Sequence, residues 1–171
     1  SDGRISDITK KDFIKFLSQP LQSPDKTINA GGRVITVPMI NFHDHFYSRL
    51  AKGLPTSGSM KNFELILQNL WWKLDLALDA EMIRASAQMA ALESIRNGVT
   101  YIFDHHSSPN SINGSLKIIS DVLSEFGLRG VLCFETTDRN GKSFSENGIS
   151  ENINFFKNSI DYELKSMLGL H

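Results

Sequence analysis

Short β-branched and aromatic runs alternate with helical spacings along this chain. Apolar runs at Val34–Phe42, Val99–Phe103, Val131–Phe134 and Met167–Leu170 predict buried strands. Between them, apolar residues recur every three or four positions, which predicts amphipathic helices. Strands that alternate with helices pair in parallel, because each crossover helix returns the chain to the same end of the sheet. The pattern therefore predicts an α/β fold with a parallel sheet.

The helical segments have recognisable starts and ends. The first carries an apolar stripe that we expect to pack in the core: Phe63, Ile66, Leu67, Leu70, Trp71 and Leu74. A second helix is predicted to begin at the Asp79 cap and to stop at Gly98, which suits the position after a helix end. Gly127 closes a third helix in the same way, and Ile149–Ile160 predicts a fourth.

Two folds have this order of elements, the eight-stranded (β/α)8 barrel and the open doubly wound sheet. Both place their binding residues at the carboxyl ends of the strands. An open flavodoxin-like sheet would carry a glycine-rich phosphate loop after its first strand, but His43–Asp44–His45 occupies that turn. Topology alone leaves both folds possible.

The composition is that of one folded domain without a charge bias. The chain has 171 residues, 40% hydrophobic and 22% charged, with 18 basic against 19 acidic side chains. We therefore expect no nucleic-acid partner. The single cysteine, Cys133, cannot form an internal disulfide, and no apolar run reaches the roughly 18 residues of a membrane span. These features predict a cytoplasmic protein with no membrane association.

Two histidines stand at the end of the first predicted strand. His43 and His45 are at positions i and i+2, so their rings point to the same side of a strand. Imidazole nitrogen is a good ligand for zinc, iron or copper, and the two rings could share one ion. A His-x-His pair is a weak signal by itself, since two polar residues can also cap a strand end.

Several short segments, in the right order, resemble the amidohydrolase superfamily. Val37–Ser48 is similar to its metal-binding signature, in which proline and an apolar pair precede His-x-His. The glycine that usually follows the proline is absent, because Met39 follows Pro38 directly. The similarity is greatest to the branch of cytosine deaminase, guanine deaminase and chlorohydrolases, and within it to the SsnA aminohydrolases, through these segments: His43–Ser48, Leu70–Asp75, Phe103–His106 and Thr137–Gly141.

The resemblance implies the N-terminal half of a metal-dependent-hydrolase (β/α)8 TIM barrel. Residues 1–32 would be a lead-in and the remnant of a small composite β-domain. Residues 33–171 would be the first four barrel strands with their intervening helices. A complete barrel takes about 250 residues, and this chain begins without methionine and ends on a strand-end histidine. We therefore expect it to be an internal piece of a larger enzyme.

The resemblance also implies a chemistry. His43 and His45 would hold one divalent metal, with zinc favoured over iron. A metal-activated water would hydrolyse a non-peptide carbon–nitrogen bond and deaminate a purine-like or other N-heterocycle, the small-molecule partner. The family's further ligands, a histidine and an aspartate, and its proton-shuttling glutamate follow later strands. No catalytic residue is therefore assigned in this chain, and we expect the 171 residues alone to be inactive.

Six other residues are candidates for substrate contact: His171, Gln68, Tyr47, His105, His106 and Arg139. His171 aligns with the glycine-x-histidine through which related deaminases contact substrate, and the other five lie near the predicted strand ends or in the following helix. Each has a plainer explanation: Arg139 can pair with Glu135, and polar residues often cap turns.

Other functions stay open. A chlorohydrolase or a ring-opening amidohydrolase would use the same metal chemistry. A half-barrel leaves unpaired strand edges, so a non-catalytic, self-associating α/β module is the alternative from a different class. Exposed edges also lead us to expect a homo-oligomer.

Overall fold

The structure is a computed structural model that describes residues 28–158 and 163–171. The backbone separates into two units, Ser1–Thr36 and Val37–His171. The described part of the first unit contains a turn at Gly31 and Gly32, which both have positive φ angles. The predicted remnant of a composite β-domain at residues 1–32 lies mostly outside the described residues and stays a prediction.

A parallel sheet of five strands forms the second unit. Strands β1 (Met39–Asp44), β2 (Val99–His106) and β3 (Arg129–Thr136) lie side by side in chain order. The short strands β4 (Leu164–Ser166) and β5 (Gly169–Leu170) both pair with β3 at successive positions. Every pairing is parallel. The predicted α/β fold with a parallel sheet is therefore confirmed.

Helices connect the strands. The segments after β1 are a 3₁₀ helix at Phe46–Ala51, α1 (Phe63–Ile66), a π-helical turn at Leu67–Trp71, α2 (Trp72–Ala77) and α3 (Ala80–Arg96). Helix α4 (Ser115–Glu125) joins β2 to β3, and α5 (Lys142–Asn158) follows β3. No described helix is both long enough and apolar enough to cross a bilayer.

The ends of α3 agree with the sequence prediction. The Asp79 carboxylate accepts the Met82 backbone N–H at 2.8 Å, which satisfies one of the free donors at the helix start. Gly98 follows the last turn with φ +73°, a conformation that L side chains rarely adopt. These two residues thus determine where the crossover begins and ends.

The first and last strands differ from their predicted bounds. The first begins at Met39 rather than Val34, because Pro38 has no N–H to give to a ladder. Met39 makes the first bond, to the Gly98 carbonyl at 3.0 Å. The last predicted strand, Met167–Leu170, begins three residues earlier and is split into β4 and β5. Sheet pairing, rather than hydrophobicity, determines where a strand starts.

The core lies between the sheet and helices α3 and α4. Its buried side chains come from both helices and from β2 and β3: Ile83, Ala87, Ala90, Ala91, Ile102, Leu116, Ile119, Val122, Leu123 and Leu132. Small residues on α3 let that helix approach closely. The core thereby fixes the strand ends that carry the polar residues described below.

Replacement of Leu123 by alanine should lower the free energy of unfolding by about 2–5 kcal/mol, because its fully buried side chain would leave a cavity. The matched control is Leu92→Ala, which removes a side chain that is 47% exposed and should cost about 1 kcal/mol or less. Chemical denaturation measures both values, and an equal loss in the two variants would contradict this core.

Candidate functional site

The structure brings His43 and His45 together at the carboxyl end of β1. Their Nε2 atoms lie 2.9 Å apart, and the ring centroids are separated by 4.7 Å. The Nδ1 atom of His45 lies 2.8 Å from the His105 carbonyl oxygen. A carbonyl oxygen can only accept, so Nδ1 carries the proton and donates. The Nε2 lone pair of a neutral His45 is therefore directed towards His43.

These two rings suit a metal ion. Burial lowers the pKa of His45, and the neighbouring His43 lowers it further, which favours the neutral ring that a metal requires. The two Nε2 atoms are close enough for one ion at about 2.0–2.1 Å from each. Among the described residues, no group of three or more histidine, cysteine or acidic side chains could hold an ion. The described part of the chain thus offers two ligands.

A pocket of about 420 Å³ opens beside the histidine pair. Its apolar walls are formed by Phe63, Leu67, Trp71, Trp72 and Leu170. Its polar groups are His43, His45, Tyr47, Asp75, His105, Glu135, Arg139 and His171. Most of these polar residues follow or end neighbouring parallel strands, because such strands all end at the same edge of the sheet.

One wall of this pocket is the helical stripe that was expected to pack in the core, and that expectation is wrong for part of it. Phe63 is 71% exposed, and Leu67 and Trp71 face the pocket. Trp71 and Leu74 both pack on the core as predicted, and Trp71 also lies 5.6 Å from the His45 ring, centroid to centroid. The π-helical turn at Leu67–Trp71 interrupts the regular helix at this wall.

Asp75 lines the pocket, and its side chain is held by two hydrogen bonds. Its carboxylate accepts Arg139 Nη2 and the Ser107 hydroxyl, each at 3.3 Å. Arg139 also pairs with Glu135 at 2.9 Å, as the plainer explanation of this residue predicted, and stacks on the Trp72 ring. One guanidinium thus lies between two carboxylates, which leaves the cluster with an excess of negative charge when both are ionised.

The ionisation of Asp75 is shifted by this environment. Burial raises its pKa to about 7, Glu135 adds to the rise, and Arg139 opposes it. The neighbouring Tyr47 has a raised pKa because of burial first and the Asp75 charge second, so its hydroxyl keeps its proton. The pocket therefore holds a hydroxyl donor next to a carboxyl group that titrates near neutral pH.

The six candidates for substrate contact divide into two groups. Tyr47, His105, Arg139 and His171 line the pocket. Gln68 does not, since it is exposed and donates to Glu64 at 3.1 Å. His106 is fully buried behind the sheet face and contacts the Ser108 hydroxyl at 2.8 Å. Alternation along β2 explains this, because His105 and His106 point to opposite faces.

Asp75 and Glu135 are the polar pocket residues that were not among the predicted site residues. Glu135 ends a predicted strand, whereas Asp75 lies on a helix. Asp75 lies four residues after Trp71, so a helix places both on one face. A carboxylate at helical spacing from an apolar stripe was the available signal. Two other buried carboxylates, Asp44 and Asp104, gave no such signal, because tertiary contacts between paired positions of β1 and β2, and with the segment after β1, bury them.

Asp104 is fully buried on β2, at the position that pairs with Asp44 of β1. Its Oδ1 accepts the Phe46 backbone N–H at 2.7 Å, directly after His45. Burial raises the pKa of Asp104 to about 8, with a further rise from Asp44, while the Phe46 bond and Arg49 oppose it. This carboxyl group is thus protonated over most of the neutral range.

Comparison with known proteins gives relatives in one group of enzymes. The chain is 28% identical over 130 residues to a 5-methylthioadenosine/S-adenosylhomocysteine deaminase from Thermococcus kodakarensis, covering 76% of this chain and 28% of that protein. It is 26% identical over 150 residues to a 5'-deoxyadenosine deaminase from Methanobrevibacter smithii, covering 86% of this chain and 32% of that protein. The chain thus spans about a third of the curated relatives it matches. No family model matches it.

Solved structures share the fold. An atrazine chlorohydrolase from Arthrobacter aurescens, complexed with zinc, matches with a TM-score of 0.58 and 17% identity over 78% of this chain and 34% of that one. Guanine deaminase from E. coli matches with a TM-score of 0.57 and 14% identity, over 77% of this chain and 30% of that one. With the deaminase relatives, these neighbours confirm the predicted resemblance to the amidohydrolases. The finer likeness to the SsnA group stays a prediction.

Replacement of Asp104 by asparagine should flatten the pH dependence of stability. The folded protein keeps a proton on Asp104 up to about pH 8, whereas an unfolded aspartate loses it near pH 3.8. The folded state therefore binds more protons between these values, so wild-type stability falls as pH rises. We expect wild type to lose a few kcal/mol more than the variant between pH 5 and pH 8, as measured by urea unfolding. The control Asp121→Asn, at a surface aspartate whose side chain is 40% exposed, should follow wild type, and parallel curves for all three proteins would contradict the assignment.

Proposed function

We propose, from this likeness to amidohydrolases, that the chain is the N-terminal half of the (β/α)8 barrel of a metal-dependent aminohydrolase. The enzyme hydrolyses a non-peptide carbon–nitrogen bond and releases ammonia from a purine-like heterocycle. The deaminase names of the relatives support this reaction class. Residues 33–171 then supply the first four strands of the barrel.

One observation carries the proposal: the Nε2 atoms of His43 and His45 converge at 2.9 Å at the carboxyl end of a parallel strand. That end is where barrel enzymes hold their reacting groups. The bond from His45 Nδ1 to the His105 carbonyl also fixes the tautomer, as a hydrogen-bonded second nitrogen does in metal-binding histidines. Strand-end capping does not require the two Nε2 atoms to approach each other.

The donor set suits zinc, and iron is the second choice. When bound, the ion would supply a water whose pKa is lowered from 15.7 to about 7. His43 and His45 would hold it, and the remaining ligands and the proton shuttle would come from other parts of the enzyme. A catalytic zinc normally has three protein ligands, so the 171 residues alone should be inactive.

The pocket supports a flat, amino-bearing substrate. Trp71, Trp72 and Leu67 offer apolar surface to a ring. Tyr47, His105 and His171 offer polar atoms in the same pocket, and the Tyr47 ring lies 5.6 Å from the His45 ring, centroid to centroid. An adenine or guanine ring combines an apolar face with polar edges in this way, and the relatives are named for adenosine derivatives.

Replacement of His43 by alanine should remove both the metal and the activity. Loss of a direct ligand should lower the zinc affinity by more than the 10- to 100-fold that follows when a hydrogen-bond partner of a ligand is lost. The measurements are zinc content and ammonia release by the full-length protein from 5'-methylthioadenosine, S-adenosylhomocysteine, 5'-deoxyadenosine and guanine. The control Arg84→Ala removes an exposed ion pair with Glu125 and should leave both values unchanged. Full turnover by a metal-free His43→Ala protein would refute the proposal.

Replacement of His171 by alanine should raise KM about tenfold and change kcat little, because a contact that binds ground state and transition state equally affects only KM. Steady-state kinetics of the full-length protein separate the two constants. An equal fall in kcat and kcat/KM would show instead that His171 acts in the transition state.

A further inference from the structure

The convergence of the two histidine rings requires a bend at the end of β1. Side chains two apart on a straight strand point the same way but stay separated by two residues of strand rise, about 6–7 Å. The Nε2 atoms are 2.9 Å apart. The pairing of β1 with β2 is irregular between Asn41 and Asp44, so the strand is bent where the pair lies.

The side chain of Asp44, the residue between the two histidines, lies at the centre of a hydrogen-bond network. Its Oδ1 accepts the His45 backbone N–H at 2.8 Å, and its Oδ2 accepts the Asn41 side-chain amide at 2.7 Å. The oxygen of that same amide accepts the His43 backbone N–H at 3.3 Å. The backbone of each histidine is therefore tied to one carboxylate, directly or through Asn41.

Arg49 neutralises this carboxylate. Its Nη2 lies 2.5 Å from both oxygens of Asp44, whose side chain is only 7% exposed. The Arg49 backbone N–H donates to the Ser86 hydroxyl at 2.9 Å, and Nε lies 3.6 Å from Glu93. Both of these partners are on α3, which belongs to the core, so the arginine is held from a rigid element.

We propose that Asn41, Asp44 and Arg49 are positioning residues that preset the His43–His45 pair for its metal ion. The inference rests on the proposed function of that pair. Without the guanidinium, the buried Asp44 charge has no cationic partner within contact distance among the described residues, so the carboxylate turns towards water and releases the two backbone N–H groups. The two rings then move apart, and the metal affinity falls because binding must bring them together again.

The test measures zinc affinity of the full-length protein by competition with a chelator, with the thermal midpoint recorded beside it. Arg49→Met should bind zinc about 10- to 100-fold more weakly, the range for loss of an outer partner. Arg49→Lys should recover part of the affinity, since the charge returns without the planar guanidinium. The matched control, Arg84→Met, breaks an arginine ion pair on the outer side of α3 and should bind zinc like wild type. Cobalt absorption spectra should also change for Arg49→Met and not for the control.

The outcomes separate this inference from the proposed function. A folded Arg49→Met protein with wild-type affinity overturns the positioning role, while loss of zinc in His43→Ala still supports the site. If His43→Ala binds zinc as wild type does, the proposed function fails, and this inference fails with it. If Arg49→Met does not fold, Asn41→Ala decides, because it leaves the ion pair intact. It should weaken zinc binding about tenfold, the effect of one hydrogen bond, and an unchanged affinity overturns the proposal.

Discussion

Parallel pairing of the strands is the constraint on which the site depends. Because β1, β2 and β3 run in one direction, the residues at their carboxyl ends meet at one edge of the sheet. The bond between His45 Nδ1 and the His105 carbonyl joins two of these ends directly. Residues about sixty positions apart in the chain thus form one site, while the helices between them contribute the core and one wall of the pocket.

This arrangement buries several carboxyl groups, which are stabilised either by an arginine or by protonation. Asp44 is balanced by Arg49, and Asp75 shares Arg139 with Glu135. Asp104 forms no ion pair with any of the described residues, and burial keeps its proton in place instead. Removal of a partner from a buried ion pair typically costs about 3–5 kcal/mol. The residues around the histidine pair therefore support the fold and the site at the same time.

Hydrophobic periodicity predicted where the helices and strands lie better than it predicted which side chains line the pocket. The helix from Asp79 to Gly98 was predictable, since capping and left-handed glycine conformations are local properties. The stripe from Phe63 to Leu74 was assigned to the core, because an apolar face that packs inside and one that lines a pocket have the same spacing. Only the position of that helix relative to His45 distinguishes them.

The sequence by itself determined the α/β class, the parallel sheet and the pair of histidines at a strand end, because alternation and i, i+2 spacing follow from backbone geometry. The tertiary structure decided which polar residues share the pocket. It placed His105 in the pocket and His106 behind the sheet, and it brought Asp75 to Arg139 across 64 positions of chain. Contacts of that kind depend on how helices pack on the sheet, which no local pattern encodes.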